Sequence, residues 1–452
     1  MRKILFLFLV ISSLSGFSQI SQQSPIVPKD SIRLVADTIT ITLADAEAFF
    51  MKNNYNVLAQ QYGVNAQKAL VRQAKLLNNP TVYYENSIYN RYSGKVLPTA
   101  LGTTHANTTL ENQKSQGEVL INAQWLVSIA RKRVKAANAA KLQGDVAQYQ
   151  FDDLIRGLLF ALRQDFIDIY FGLKSLQLFD EEIVEVKNIV AGFEIQYQKG
   201  NVSLRDITRV RALLLSLQSD RLDLYTSLQQ NSAKEFAVLL NNPKNVYYKP
   251  VLNEAELDSK YNLTNVPLAD MVAQALENRP DLKATLAQMA SADAYVKLQK
   301  AVGIPDVQFQ YTYDENGSYI PNYSGVGVML PIAIFNRNQG NIQSSKFLVD
   351  AASQQLKQTQ VTVQNDVFAS YQKILELQKS SSSQTTGFIA DFRTLLKGAE
   401  DNFTKKNLSL LDFVDMFESY KDYITQSNSI KDQRYAAFEE LNFNVGKDVF
   451  KK

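Results

Sequence analysis

The chain repeats itself, and that repetition constrains its fold more than any other feature. Leu43-Ala44-Asp45 returns as Leu268-Ala269-Asp270. Asn53, Ala59, Val71, Pro80 and Val82 return as Asn278, Ala284, Val296, Pro305 and Val307, every pair 225 apart. A second echo has an offset of 206. Tyr197-Gln-Lys-Gly-Asn201-Val202-Ser203-Leu204-Arg-Asp206 recurs as Phe403-Thr-Lys-Lys-Asn407-Leu408-Ser409-Leu410-Leu-Asp412. The difference, 225 − 206 = 19 residues, is a longer connection in the first copy, and the Asn/Thr/Gly-rich stretch 92–116 is its natural place. A unit this long is a duplicated half-protein and not a solenoid repeat.

Each half runs helix, two strands, very long helices. The first helix of each half opens at Thr42 or at Pro267, which suits a first turn, and is expected to end before Pro80 or Pro305. In the second half Val307, Phe309, Tyr311 and Tyr313 alternate with polar residues, and Val326, Val328, Leu330 and Ile332 alternate with Gly325, Gly327 and Met329. In the first half Val119, Ile121, Ala123, Trp125 and Val127 alternate with Glu118, Asn122 and Gln124, while 82–92 carries the weakest pattern of the four. Period-two alternation puts the apolar set on one face. Strands of about ten residues, apolar outward and polar or small inward, suit a transmembrane barrel. An ordinary half-buried sheet shows the same alternation, so the strands alone leave both open.

The helices argue for an elongated molecule. No proline occurs between Pro98 and Pro243, or after Pro331. Leu176, Phe179, Ile183, Val186, Val190, Phe193 and Tyr197 step by three and four, as do Leu410, Phe413, Phe417, Tyr420 and Ile424. Such seams call for neighbouring helices in coiled-coil packing. From 128 to 199 a helix would run roughly 100 Å, a length no compact globule needs. A secreted coiled-coil rod explains the helices and leaves the strands unused. Four strands cannot close a barrel, since the smallest membrane barrels have about eight, and an open edge is not tolerated in lipid. Three chains pooling twelve strands, with the helices continuing as a ring, satisfy both constraints.

The charge balance of 48 basic against 45 acidic residues, +3, makes no electrostatic case for nucleic acid. The chain has no cysteine and one histidine, His105, so thiolate chemistry, disulfides, a lipid-bearing N-terminal cysteine and a His-rich metal site are excluded. The six methionines are scattered, with no soft-metal box. No nucleophile–base pairing or phosphate loop appears, so neither an enzyme nor a cofactor is expected. Arg2 and Lys3, the apolar run 4–14 and Gly16-Phe17-Ser18 read as a signal peptide, 1–18, cleaved near Ser18–Gln19; a retained anchor helix is the alternative. No later run approaches about 20 apolar residues, so a membrane form must be a β-barrel. The organisation expected is an N-terminal extension over 19–40, a first repeat over 41–245, a linker or equatorial segment over 246–266 and a second repeat over 267–452.

Over essentially the whole mature chain these features resemble the TolC family of outer-membrane efflux proteins. The duplicated helix–hairpin–helix plan carries the likeness. So does Gly325-Val-Gly-Val-Met-Leu330-Pro331-Ile-Ala-Ile-Phe335-Asn-Arg-Asn-Gln-Gly340-Asn-Ile342, similar to the strand-to-helix passage of the branch serving heavy-metal and related RND pumps. The paired Asn-[Val/Leu]-Ser-Leu-x-Asp echo is similar to that family's helical tips. The resemblance implies a mostly α fold with a small membrane β portion. It further implies a homotrimeric, passive duct in the outer membrane that extends into the periplasm. Such a duct docks on a periplasmic adaptor and an inner-membrane pump and exports solutes such as heavy-metal cations or drugs. Two departures stand out. The family's lipid-bearing cysteine is absent, and the tyrosine and arginine of its lock fall on Phe403 and Leu408.

Asp412 and Asp415 align with the family's aspartate ring at the periplasmic entrance. Three apart on a helix they share a face, and threefold symmetry would gather six carboxylates, which favours cations and raises some of their pKa values. A solvated helix surface is the bland alternative. Asn201, Val202, Ser203, Leu204 and Asp206, with Asn407, Leu408, Ser409 and Leu410, are expected to form adaptor-docking tips, or to serve turn chemistry alone. Arg131, Lys132, Arg133 and Lys135 follow a strand and start a helix; they could anchor the periplasmic rim against lipid headgroups, or be a solvated helix start equally. Trp125 suits an interfacial belt or a core position equally.

Overall fold

The computed structural model describes residues 37–91, 94–97, 119–242, 246–263, 267–315, 322–382, 394, 398 and 409–450. The expected signal peptide, His105 and most of the 92–116 insert lie outside them. The chain is mostly helical. A strand β1 (Asp37–Thr42) leads into α1 (Leu43–Asn53) and α2 (Tyr55–Lys75), then β2 (Thr81–Asn86) and β3 (Val119–Val127). The 67-residue α3 (Lys132–Gln198) follows, about 100 Å long, then α4 (Leu204–Gln230) and α5 (Ser232–Leu240). A strand β4 (Val246–Val251) and α6 (Glu254–Lys260) precede the second copy: α7 (Leu268–Asn278), α8 (Pro280–Val302), β5 (Val307–Asp314), β6 (Tyr323–Met329), α9 (Gln339–Ser382) and α10 (Leu410–Val445).

The opening helix of each half, expected to be single, is two helices broken at Asn54 and at Arg279, residues that are themselves 225 apart. Thr42 caps α1 by accepting the Asp45 amide, while Pro267 supplies only its preset φ. The strands are also shorter than their alternation suggested. β6 ends at Met329 because Pro331 cannot donate to a ladder. β2 ends at Asn86, and among the described residues beyond it a Tyr89–Val96 bridge follows. The stretch 246–266 holds a strand and a short helix, and β4 pairs in parallel with β1.

Three cores follow one another along the helices. The expected seam of Phe179, Ile183, Val186 and Val190 in α3 meets Val210, Leu213 and Leu217 of α4 and Leu410, Phe413, Phe417, Tyr420 and Ile424 of α10. Phe166, Ile169 and Leu176 of α3 close over Phe50, Val57 and Phe236 in the first half. Tyr435, Phe438, Leu441 and Val445 of α10 do the same over Met271, Leu282, Val363 and Val367 in the second half.

Candidate functional site

The two hairpins join into one antiparallel sheet of order β2-β3-β5-β6. The register sets Trp125 opposite Phe309 and Phe309 opposite Val328, and aligns Val82, Ala123, Tyr311 and Val326 in the next apolar row. Because side chains alternate, these fall on one face, and Asn122, Gln124, Gln310, Thr312, Gly325 and Gly327 fall on the other. The polar face is bonded to itself: Asn122 Nδ2 donates to Thr312 Oγ1 at 2.8 Å and Gln308 Nε2 to Gln124 Oε1 at 2.6 Å. The apolar face is bare, with Val326 89 % and Val328 67 % exposed. Among the described residues nothing pairs with the outer edges of β2 and β6. A sheet greasy on one side, wetted on the other and open at both edges is stable when its apolar side meets lipid and its edges meet further strands. Among the described residues no helix is long and apolar enough to cross a membrane.

At the far ends of the helices the first tip turns through Gly200, whose φ of 73° suits glycine. Asn201 bonds back to Gln196 through both its amide and its side chain. Ser203 caps α4: its Oγ accepts the Asp206 amide at 3.2 Å and donates to the Asp206 carboxylate at 2.6 Å. That hydroxyl bond is the main cause holding the Asp206 carboxyl below its usual range, with Arg205 adding to it. Val202 is half-buried and Leu204 exposed. The second tip repeats the device. Ser409 Oγ accepts from the Asp412 amide at 3.2 Å and donates to its carboxylate at 2.7 Å. Asn407 and Leu408 lie outside the described residues, and Leu410 is buried in the seam. Asp412 and Asp415 are both exposed, as a gate requires, but Asp412 also serves the cap.

At the base of the sheet the expected rim residues part company. Lys132 is tied to Asp306 at 2.8 Å, an aspartate that also accepts the Ile129 amide. Arg131 is exposed in the left-handed region and Arg133 is exposed. Trp125 lies on the bare face, its indole donating to the Asn78 carbonyl at 3.1 Å.

The outer membrane efflux protein family matches residues 271–390, which run from α7 through β5, β6 and α9 and end outside the described residues. That match covers 120 of the chain's 452 residues. Over 403 residues, 88 % of this chain and 84 % of the relative, the chain is 22 % identical to the cobalt-zinc-cadmium resistance protein CzcC of Cupriavidus metallidurans. Its fold is similar to that of CusC, with a TM-score of 0.70, 15 % identity and coverage of 91 % and 94 % of the two chains. It is similar also to the CmeC outer membrane channel of Campylobacter jejuni, with a TM-score of 0.69, 14 % identity and coverage of 90 % and 86 %.

The chain also carries buried carboxyls that its sequence pattern did not point to. Glu182 is 2 % exposed inside the helical seam, neither oxygen has a hydrogen-bond partner, and burial pushes its pKa to about 8 against the pull of Lys421. Burial, with Glu235 and Asp168 beside it, raises Asp165 to about 7. Asp168 of α3 and Asp432 of α10 share a hydrogen bond, and burial lifts Asp432 to about 7. The one signal in the sequence is spacing: of the three acids between Phe179 and Ile183, Glu182 follows Phe179 by three and so shares the seam face, whereas Asp180 and Glu181 are exposed. Among the described residues no group of acidic side chains is arranged to hold a metal ion.

Proposed function

We propose that three copies of this chain form the exit duct of a tripartite efflux system. The observation that carries the reading is the four-stranded sheet, apolar outside, hydrogen-bonded and polar inside, open at both edges and continuous with helices about 100 Å long. Twelve pooled strands close a barrel, and the α3, α4, α9 and α10 helices continue it into the periplasm. The polar face of Asn122, Gln124, Gln308, Gln310 and Thr312 lines the water-filled lumen. Conduction is passive, and the choice of solute lies with the pump. The likeness to a cobalt-zinc-cadmium resistance protein favours divalent metal cations as cargo. The paired tips, with identical Ser–Asp caps, present a rigid surface to a periplasmic adaptor. Asp412 and Asp415 ring the entrance and favour cations.

The first test is the mass of the particle extracted in mild detergent from outer-membrane fractions. A stable trimer is expected; a soluble monomer or dimer that never pellets with membrane would sink the duct in favour of a secreted coiled-coil scaffold. In planar bilayers Asp412→Ala with Asp415→Ala weakens cation selectivity and relieves block by multivalent cations. Unchanged block in that double variant removes the gate. Charge inserted at Val202 or Leu408 abolishes adaptor cross-linking, and retained cross-linking removes the docking surface.

A further inference from the structure

We propose that the groove between the end of α2 and the start of α3 binds the phosphate headgroup of an anionic phospholipid of the outer membrane's inner leaflet. The inference rests on the membrane reading above. The groove holds about 460 Å³, with Val71 and Ala137 in its walls and Lys75, Arg133, Asn138 and Lys141 around them. No carboxylate lines it. All three cations are exposed, and none has an ion pair or hydrogen bond among the described residues, unlike neighbouring Lys132 on Asp306. Three unpartnered cations held together are repulsive unless an anion joins them. Arg133 and Lys141 stand about 12 Å apart along α3, at 1.5 Å per residue, and Lys75 faces them from the antiparallel α2. An arginine fork suits two oxygens of one phosphate, and the lysines act as point charges around it.

The position of the groove selects a lipid over a free anion. α2 reaches β2 through residues 76–80, and α3 begins shortly after β3 ends at Val127. The Trp125 indole, bonded to Asn78, ties these two connections together at the lower margin of the bare apolar face. A headgroup lies at this level when acyl chains cover that face, and a tryptophan at this level is what membrane interfaces favour.

The duplication supplies an internal control. Lys75 plus 225 is Lys300, while Arg133 and Lys141 plus 206 are Gln339 and Phe347. The second half builds the same helix pair with one cation where the first half has three. The cluster is therefore not a demand of the fold.

The experiment uses the full-length purified trimer in neutral detergent. Native mass spectrometry follows titration with phosphatidylglycerol, with phosphatidylcholine, and with phosphatidylglycerol in the presence of inorganic phosphate. Each cation near an anionic headgroup is worth about fivefold in affinity. The variant Lys75→Gln/Arg133→Gln/Lys141→Gln is therefore expected to lose phosphatidylglycerol about a hundredfold, while Lys300→Gln keeps it. Phosphatidylcholine binds weakly to every form, and millimolar phosphate fails to displace the lipid. Undiminished phosphatidylglycerol binding by the triple variant overturns the proposal, as does equal binding of phosphatidylcholine. Displacement by inorganic phosphate reassigns the groove to a free anion. Dissociation of the triple variant into single chains, with lipid binding per chain unchanged, reassigns it to a contact between copies. Outer-membrane fractionation of the wild type separates the two levels: its failure removes the duct reading, and its success with a null lipid result removes this site alone.

Discussion

The first and second halves make the same bend with different chemistry. Asn54 and Arg279, at equivalent positions, are both extended, with ψ of 117° and 123°. At Asn54 the side chain enforces the break. Its Oδ1 accepts the amides of Asn56 and Val57, and its amide donates to the Leu239 carbonyl at 2.8 Å. At Arg279 the following Pro280 enforces it, because proline pushes the residue before it out of the helical region. That frees the buried guanidinium to bond Asp281 at 2.6 Å and Asp366 of α9 at 2.8 Å, beneath the glycine that ends α10. The tips show the opposite outcome, with the same Ser–Asp cap retained in both copies. Duplication preserved the path of the chain. Side-chain chemistry was kept where both copies begin a helix with the same cap, and it diverged where each copy packs against different neighbours.

The largest test of this contrast is at the bends. Arg279→Ala leaves Asp281 and Asp366 without their buried cation and should cost about 3–5 kcal/mol. Asn54→Ala removes a cap and one buried hydrogen bond and should cost about 1–2 kcal/mol. Denaturant unfolding of the two variants in one detergent measures both, and equal losses would break the distinction.

A smaller effect is expected in the seam. Glu182 has no charged equivalent in the second copy, where position 388, outside the described residues, is phenylalanine. Its folded pKa of about 8 lies above the ordinary glutamate value of 4.5, so the native state holds a proton that the unfolded chain releases first. Stability therefore falls as pH rises from about 4.5 to about 8. Glu182→Gln removes this slope and stabilises by about 1–3 kcal/mol at the alkaline end. Thermal melts at pH 5 and pH 8.5 should show the gap between variant and wild type widening with pH; a constant gap would refute it.

The smallest effect sharpens the likeness of the tips. Ser203→Ala and Ser409→Ala should each cost about 1 kcal/mol, and aspartate at either position should restore most of it. Losses differing severalfold would mean that the two caps are not equivalent.

The repeat, the proline-free helices and the alternating strands were all legible in the sequence, because each rests on local spacing: 3.6 residues per turn, two per strand repeat, one register per copy. The Ser–Asp caps were legible for the same reason, since a cap spans only three residues. The pairing of β1 with β4 left only the faint alternation of Thr38-Ile39-Thr40-Ile41, because a parallel pair more than 200 residues apart has no short-range signature. Which cations stand free was equally hidden: Lys132 and Arg133 are neighbours in the chain, yet only the fold brings Asp306 to one and leaves the other open beside Lys75 and Lys141. The burial of Glu182 and of the Asp168–Asp432 pair was decided by packing between helices, which sets solvent access and thereby charge. Local periodicity determined what the elements are. Long-range contact decided which of their charged groups are paired, which are buried, and which are left for something outside the chain.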